Sequence, residues 1–235
     1  MKRALILKAP GTNNDLETRA ALEYAGAAVD TAYMYGNTSA PGLKKYNLIV
    51  IPGGFSFGDY LGAGKILALY IKKYIYEELK IFSAGGRIIV GICNGFQVLA
   101  RLGFLEAEDP GLSFEINLSG RFISKWVKVH PDTSCAYFRG LPETVEFPVA
   151  NKEGRAVYSG SYPDLQKKIR TVMTYSDNLS GPSESIAAAV NSGGNILGIM
   201  PHPERALNQF QHPAFGYSDV QVYGRKIFKN IVGMS

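Results

Sequence analysis

The length, composition and charge of this chain favour a folded α/β protein and exclude several classes of function. The chain has 235 residues, 46% of them hydrophobic, which suffices for one large domain or two small ones. The net charge of +5 is mild and its basic clusters are short, which argues against a nucleic-acid partner. No apolar run reaches the roughly 18 residues that a membrane span needs. This excludes a membrane-spanning protein. Two cysteines make no disulfide framework, so we expect a cytoplasmic protein.

The first half of the chain alternates predicted strands and helices. Strands are predicted over 3–8, 29–34, 47–51 and 87–92, and helices over 13–25 and 61–83. The run at 47–51 is nearly all apolar, as expected for a strand that is covered on both faces. This β-α-β alternation predicts a mostly parallel, doubly wound sheet, with reactive groups at the carboxyl ends of its strands.

The second half is richer in predicted strands. They cover 119–129, 145–150, 171–175, 186–190 and 196–200, and a closing helix is predicted from about Asp219 to Val232. Gly193 and Gly194 indicate a hairpin turn between the last two strands. The chain has no repeat, low-complexity segment or linker, so we expect a single domain over 1–235.

Cys93 lies on a predicted strand-to-helix turn, with Gly91 two residues before it and Gly95 two residues after it. This is the nucleophile-elbow pattern with sulfur in place of the hydroxyl group. The glycines relieve crowding in a strained turn, and the helix N-terminus stabilises a thiolate. The pattern predicts that Cys93 is a nucleophile.

The second feature is the stretch Pro52-Gly53-Gly54-Phe55, which follows the third predicted strand. Glycines in such a turn can aim backbone N–H groups at an anion. We expect one half of an oxyanion hole here, with the N–H group of Asn94 as the other half. Taken alone, the stretch is better explained as an ordinary glycine-rich turn. It should share a crevice with Cys93, because both follow parallel strands.

A cysteine nucleophile needs a base and a group that orients the base. His202 and Glu204 stand in Pro201-His202-Pro203-Glu204, directly after the last predicted strand. Residues two apart in an extended backbone point the same way, so Glu204 can hold the imidazole of His202. The chain thus carries a candidate Cys93, His202, Glu204 triad. Alone, His202 and Glu204 are better explained as surface loop residues.

The other candidate groups are interpreted as structural. His130 and His212 each precede a proline outside these patterns, and Cys135 has neither an elbow nor an obvious base. The stretch around Gly64-Lys65 does not fit a phosphate loop, and no dinucleotide-binding fingerprint follows a strand. We therefore expect no metal and no cofactor in this chain.

These stretches together resemble the class I (triad) glutamine amidotransferases, and more narrowly the glutaminase subunits of phosphoribosylformylglycinamidine synthases. The resemblance runs from Ala4 to about Phe228. It is carried by 52–61, 91–99, 119–122 with 126–127, and 201–205. It implies a three-layer αβα fold of the flavodoxin-like type. It also implies hydrolysis of glutamine through a Cys93 thioester, with glutamine contacts at Gln97 and around Phe55 and Ser56.

The resemblance further implies partners. Ammonia would pass to a large synthetase subunit, which holds ATP and Mg²⁺ and converts phosphoribosylformylglycinamide (FGAR) to phosphoribosylformylglycinamidine (FGAM) in purine biosynthesis. A small bridging subunit would join the complex.

This chain departs from the pattern of the family at two places. It has Asn151-Lys152 where the family has His-Gly, and 180–185 replaces an Asn-Pro-Asn-Gly-Ser turn. Two other interpretations stay open. One is a cysteine hydrolase or stress protein of the DJ-1/PfpI type, disfavoured because Asn94 follows the cysteine where those proteins have His. The other is a non-catalytic module on the same fold.

Overall fold

The computed structural model describes residues 1–36, 42–105, 111–177 and 179–235. Within these ranges, nine strands form one sheet and two further strands form a separate sheet. The strands are β1 (Arg3–Lys8), β2 (Ala28–Tyr33), β3 (Leu48–Ile51), β4 (Ile88–Ile92), β5 (Leu112–Glu115), β6 (Ile123–Pro131), β7 (Val145–Asn151), β8 (Arg155–Tyr158), β9 (Ile169–Tyr175), β10 (Ile186–Asn191) and β11 (Ile196–Ile199).

The parallel half of the large sheet has the strand order β2-β1-β3-β4-β11. This is the flavodoxin-like order, in which the direction of winding reverses at β1. Strands β3, β4 and β11 are buried along their whole length, which explains their continuous apolar sequences. The predicted doubly wound arrangement is confirmed.

The strand-rich second half of the chain extends this sheet in antiparallel fashion. β10, β9, β6 and β7 follow β11 in that order, and each pairs antiparallel with its neighbour. The predicted hairpin at Gly193 and Gly194 joins β10 to β11, where Val190 pairs with Leu197. This hairpin brings the end of β11 beside the end of β4, where Ile199 pairs with Ile92.

The helices complete the layers around the sheet. They are α1 (Asp15–Tyr24), α2 (Lys65–Tyr74), α3 (Tyr76–Ala84), α4 (Asn94–Arg101), α5 (Tyr162–Gln166) and α6 (Gly224–Met234). Because winding reverses at β1, right-handed crossovers put α1 on the face opposite α2, α3 and α4. Helix α6 packs against α1, and α2 packs against α4. The expected three-layer αβα fold is confirmed.

The prediction of one long helix over 61–83 was wrong, because the structure has two shorter helices there. Gly62 and Gly64 adopt φ values of 109° and 69°, which a right-handed helix excludes, so α2 begins only at Lys65. The helix is broken again at Ile75, whose φ of −140° is not helical. Ile75 is buried, which places its side chain in the core between the two helices.

Other boundaries also differ from the predictions. The strand predicted from Ser119 begins at Ile123, because a turn with Gly120 at φ 67° precedes it. The closing helix begins at Gly224 rather than Asp219, since the carbonyl of Val220 accepts a hydrogen bond from Gln209. Strands β5 and β8 were not predicted. They stabilise each other through an antiparallel pair that joins distant parts of the chain, which local sequence patterns do not reveal.

Candidate active site

A cavity of about 290 Å³ opens at the carboxyl ends of β3 and β4. Its wall contains Cys93 together with Gly54 and Phe55 of the glycine-rich turn, so the predicted shared crevice is confirmed. Three larger surface grooves in the described part of the chain, of about 560, 580 and 400 Å³, have neither a cysteine nor a histidine among their lining residues. The other lining residues of the smaller cavity are Gly58, Asp59, Ala63, Gln97, Phe122, Ala150, Asn151, Lys152 and Glu153.

Cys93 occupies a strained turn between β4 and α4, with φ 50° and ψ −103°. The flanking glycines let the helix approach the sheet. A Cβ atom on Gly95 would lie 1.9 Å from the carbonyl oxygen of Ile51, and one on Gly91 would lie 2.4 Å from the carbonyl oxygen of Gly95. The Sγ atom donates a long hydrogen bond, of 3.7 Å, to the carbonyl oxygen of Ala150.

His202 and Glu204 form a buried pair behind the cysteine. The Nδ1 atom of His202 lies 2.6 Å from Oε1 of Glu204, and both side chains are almost completely buried. The backbone N–H of His202 donates to the carbonyl oxygen of Pro148 in β7, which fixes the loop after β11. The prediction that Glu204 reaches this imidazole is confirmed.

The charges around His202 favour its protonated form. Burial alone would lower the pKa of His202, but the negative charge of Glu204 and the neighbouring Cys93 raise it to about 10. The Nε2 atom of the ring has no hydrogen-bond partner among the described residues. The carboxylate of Glu204 therefore favours a charged imidazole, whose Nε2 atom no other described group engages.

Gly53 lies at the point where the cysteine and the histidine approach each other. A Cβ atom on Gly53 would lie 2.8 Å from Cε1 of His202 and 3.3 Å from Cβ of Cys93. Both distances are shorter than ordinary van der Waals contact. The missing side chain at Gly53 therefore leaves the imidazole and the cysteine on either side of it uncrowded.

Of the backbone N–H groups near Cys93, some are free to bind an oxyanion and others already donate within the protein. The N–H groups of Gly54 and Asn94 have no acceptor within the ranges that the structure describes, and Asn94 is the first residue of α4. The N–H group of Phe55 donates to the carbonyl oxygen of Gly11 at 3.0 Å. Gly54 and Asn94 can thus receive an anion, whereas Phe55 contributes only its side chain to the cavity.

The side chains of Asn94 and Gln97 hold the cavity wall together. Asn94 accepts from Ser56 at 2.6 Å and donates to Asp59 at 3.1 Å. It also donates to Oε1 of Gln97 at 3.3 Å, and Gln97 donates in turn to the carbonyl oxygen of Glu153 at 2.6 Å. Both amides are therefore already engaged within the protein, including the one expected to contact glutamine.

Comparisons with known proteins agree with this geometry. The family model of the CobB/CobQ-like glutamine amidotransferase domain matches residues 1–233. Phosphoribosylformylglycinamidine synthase subunit PurQ of Dehalococcoides mccartyi is 34% identical, over 98% of this chain and 96% of that protein. The corresponding subunit of Pyrococcus furiosus is 38% identical, over 99% and 98% of the two chains. This chain belongs to the PurQ family of glutamine amidotransferases.

A solved structure of the family supports the same assignment. The structure of PurLQS from Thermotoga maritima matches with a TM-score of 0.81 at 31% identity, over 99% of this chain and 98% of that one. Membership of the family confirms the expected fold class and makes the chain a glutamine amidotransferase, hence an enzyme. The comparisons do not support the DJ-1/PfpI interpretation or the non-catalytic module.

Asn14 is a member of the site that the sequence analysis missed. Its Nδ2 atom donates to Oε1 of Glu204 at 3.3 Å and lies 3.0 Å from Nδ1 of His202, while Arg205 donates to its Oδ1 atom. The sequence places Asn14 before the first helix, where an asparagine is ordinarily a cap. It makes no side-chain cap bond, because its amide is turned to the buried pair.

The remaining histidines and the second cysteine lie outside the cavity, as expected. His130 is exposed and contacts Ser176, and His212 pairs with Glu146 at 2.9 Å. Cys135 is buried, and burial raises the pKa of its thiol. In the described ranges, no group of three or more metal-binding side chains comes together, and no helix has the length and apolar character to cross a bilayer.

Proposed function

We propose that this chain is the glutaminase subunit of a phosphoribosylformylglycinamidine synthase. It hydrolyses glutamine and delivers ammonia to a synthetase subunit, which uses ATP to convert FGAR to FGAM in purine biosynthesis. The observation that carries the proposal is that Cys93, in the wall of the cavity, and His202, held by Glu204 at 2.6 Å, both lie against Gly53. The names of the relatives in the PurQ family support the choice of synthase.

In the first half of the reaction, His202 takes the proton of the Cys93 thiol, and the resulting thiolate attacks the side-chain carbonyl carbon of glutamine. The carbonyl oxygen becomes an oxyanion, which the N–H groups of Gly54 and Asn94 stabilise. Loss of one such donor typically lowers the rate about 100- to 1000-fold. His202 then gives its Nε2 proton to the leaving nitrogen, the C–N bond breaks, and ammonia and a glutamyl thioester result.

In the second half, water replaces ammonia. His202, now neutral, takes a proton from the water molecule as its oxygen attacks the thioester carbon. The C–S bond breaks, glutamate leaves, and His202 returns the proton to Cys93. Glu204 keeps the ring oriented in both halves, since its contact with Nδ1 leaves Nε2 directed to the reacting atoms.

The proposal extends to partners and to location. ATP and Mg²⁺ belong on the synthetase subunit, and a small bridging subunit completes the complex. Two observations support a partner at the mouth of the cavity: the rings of Phe55 and Phe122 are 41% and 45% exposed, and their centroids lie 6.1 Å apart. We place this complex in the cytoplasm, which two unpaired thiols support. We treat 1–235 as one domain, in line with the extent of the family match.

The experiment that tests the proposal compares Cys93→Ala with Cys135→Ala. Glutamine hydrolysis is measured with the synthetase partner present, and ammonia transfer to FGAR is followed in the same mixture. Cys93→Ala should lower glutaminase activity by about 1000-fold or more, since it removes the attacking atom. Cys135→Ala should retain activity. Hydrolysis retained by Cys93→Ala, or preferential labelling of Cys135 by a glutamine-analogue electrophile, contradicts the assignment.

A further inference from the structure

The two N–H groups proposed to bind the oxyanion lie on separate segments of the chain. Gly54 is in the loop after β3, and Asn94 is the first residue of α4. Beyond the pairing of β3 with β4, no backbone hydrogen bond in the described part of the chain joins residues 52–59 to residues 93–97. Both donors must reach one oxygen atom at about 3 Å, so their separation must be fixed by other contacts.

Side chains link the two segments. The hydroxyl group of Ser56 donates to Oδ1 of Asn94 at 2.6 Å, and Nδ2 of Asn94 donates to Oδ1 of Asp59 at 3.1 Å. Ser56 and Asp59 belong to the loop that carries Gly54. A hydrogen bond to a carboxylate is stronger than one between neutral groups. The side chain of Asn94 therefore ties the loop with one donor to the helix with the other.

The orientation of the Asn94 amide is fixed by its neighbours. The carbonyl oxygen of Glu153 can only accept, so Nε2 of Gln97 faces it at 2.6 Å, and Oε1 of Gln97 faces Asn94 at 3.3 Å. Because Oε1 can also only accept, Nδ2 of Asn94 lies on that side and Oδ1 lies toward Ser56. Ser56 is thus the donor in its bond with Asn94, and the described residues give this Oδ1 atom no second donor.

The loop has a strained backbone that its surroundings must hold. Phe57, Gly58 and Asp59 adopt φ values of 54°, 66° and 51°, in the left-handed region that Phe and Asp seldom occupy. A segment in this conformation persists only where neighbouring groups fix it. The N–H group of Phe57 donates to the carbonyl oxygen of Pro10 at 2.6 Å, and Asp59 accepts from Asn94. These bonds hold the strained loop beside α4.

Ser56 can affect the reaction only through Asn94. It is 2% exposed and is not part of the described wall of the cavity, whereas Asp59 and Gln97 line that wall. Its hydroxyl group, expected near glutamine, is turned to Asn94 instead. A change at Asp59 or Gln97 would alter the cavity as well as the hydrogen bonds of Asn94. Ser56 is therefore the residue at which the link can be broken without a change in the wall.

We propose that Ser56 is a positioning residue, which holds the N–H groups of Gly54 and Asn94 at the separation that the oxyanion requires. It does so through its hydrogen bond to the side chain of Asn94. The inference rests on the proposed function, because it assumes that these two N–H groups stabilise the oxyanion formed at Cys93. The oxyanion is absent from bound glutamine, so the Ser56 hydroxyl group contributes to kcat and not to substrate binding.

The first test measures steady-state hydrolysis of glutamine with the synthetase partner present. Ser56→Ala should lower kcat about 10-fold and leave KM within about twofold, since a displaced oxyanion donor costs less than a missing one. Ser83→Ala is the matched control, because the Ser83 hydroxyl group donates to the carbonyl oxygen of Lys80 in α3 at 3.0 Å. It should keep kcat within about twofold. An unchanged kcat in Ser56→Ala, or a loss confined to KM, overturns the inference.

A double-mutant cycle tests whether Ser56 acts through Asn94. Asn94→Ala removes the side-chain partner of Ser56 and keeps the backbone N–H group. In this background, Ser56→Ala should change kcat less than about twofold, because the hydrogen bond is already lost. An equal loss in the two backgrounds would show that Ser56 acts by another route and would refute the proposal.

A third variant separates positioning from folding. Ser56→Cys keeps the size of the side chain and a weak donor, so its kcat should lie between those of wild type and Ser56→Ala. Thermal unfolding midpoints establish that each variant is folded at the assay temperature. A kcat of Ser56→Cys equal to that of wild type, or below that of Ser56→Ala, contradicts the inference. The nucleophile assignment fails by a different result, which is hydrolysis by Cys93→Ala with Ser56 intact.

Discussion

At the scale of single residues, the site depends on a glycine that has no side chain as much as on its polar side chains. A Cβ atom on residue 53 would crowd both His202 and Cys93, so the glycine leaves room for the two side chains. Asn14 and Glu204 hold the far side of the imidazole. The geometry of the thiol–imidazole pair is thus set by a turn, a loop and a helix start from three parts of the chain.

The first prediction concerns Gly53→Ala. The added methyl group would lie 2.8 Å from the ring of His202 and push it from the sulfur. Since small displacements of reacting groups are costly, kcat for glutamine hydrolysis should fall about 100-fold. Steady-state kinetics with the partner subunits measures this.

Gly233→Ala is the matched control for that change. Gly233 lies in α6, and a Cβ atom there meets nothing within 4 Å. The control should keep activity within about twofold, as is usual for a surface change. If Gly53→Ala were as active as Gly233→Ala, Gly53 would not separate the two groups.

The second prediction concerns pH. The pKa of His202 is raised from 6.5 to about 10, so the contribution of its proton to stability is fully present below pH 6.5. Between these values the native state keeps a proton that the unfolded state has lost. The free energy of unfolding should therefore fall with rising pH, by up to about 1.4 kcal/mol per pH unit, and the contribution is gone above about pH 10.

Urea unfolding of wild type and Glu204→Gln, at intervals across this window, measures the effect. Removal of the Glu204 charge lowers the pKa of His202, so the variant should show a flatter dependence on pH. Tyrosines and lysines titrate alike in both proteins, so the difference between the two curves is the readout. Parallel curves would refute a raised His202 pKa caused by Glu204.

At the scale of elements, the elbow depends on glycines that let α4 pack closely on the sheet. Gly95 lies against the carbonyl oxygen of Ile51 in β3, and Gly198 of β11 lies against the ring of Phe96. These contacts fix the axis of α4, and with it the direction of the N–H group of Asn94. The positions of the oxyanion donors therefore follow from helix–sheet packing.

The third prediction compares two glycines of different kinds. Gly95→Ala would place a methyl group 1.9 Å from the Ile51 carbonyl oxygen and should destabilise the protein by about 3 kcal/mol. Gly103 has φ 73° but open space around it, so Gly103→Ala should cost only about 1 kcal/mol. Urea unfolding of both variants measures the difference. Similar losses would mean that close approach does not govern α4.

At the scale of the whole molecule, the sheet divides into a parallel centre and an antiparallel extension. Strands β4 and β11 are buried throughout and carry Cys93 and His202 just beyond their ends. The two-stranded sheet of β5 and β8 is small and partly exposed. Cys93 and His202 therefore follow strands that are buried along their whole length.

The fourth prediction follows from this division. Amide hydrogens of β4 and β11 should exchange slowest, because their opening requires unfolding of the core, and those of β5 and β8 should exchange early. Hydrogen–deuterium exchange, followed by mass spectrometry of peptides from each strand, measures the order. Protection of β5 and β8 equal to that of β4 would contradict this view of the core.

The amino-acid sequence by itself determined the parallel centre, the cysteine elbow and the His202–Glu204 pair. Each depends on local signals: continuous apolar runs, glycines that flank a cysteine, and the two-residue period of an extended backbone. The break at Ile75 and the β5–β8 pair had no such signal, since both depend on packing between segments distant in sequence. Local patterns could not locate them.

Only the tertiary structure decided which neighbours complete the site. In the sequence, nothing distinguishes Asn14 from an ordinary helix cap, or Asn151 from an ordinary residue at the end of a strand. Folding brings Asn14 to a pair 188 and 190 residues away, and it buries the Asn151 amide in the cavity wall without a partner. The physical reason is that buried polar groups take their partners from whichever segments the sheet brings together, and strand order is a non-local property.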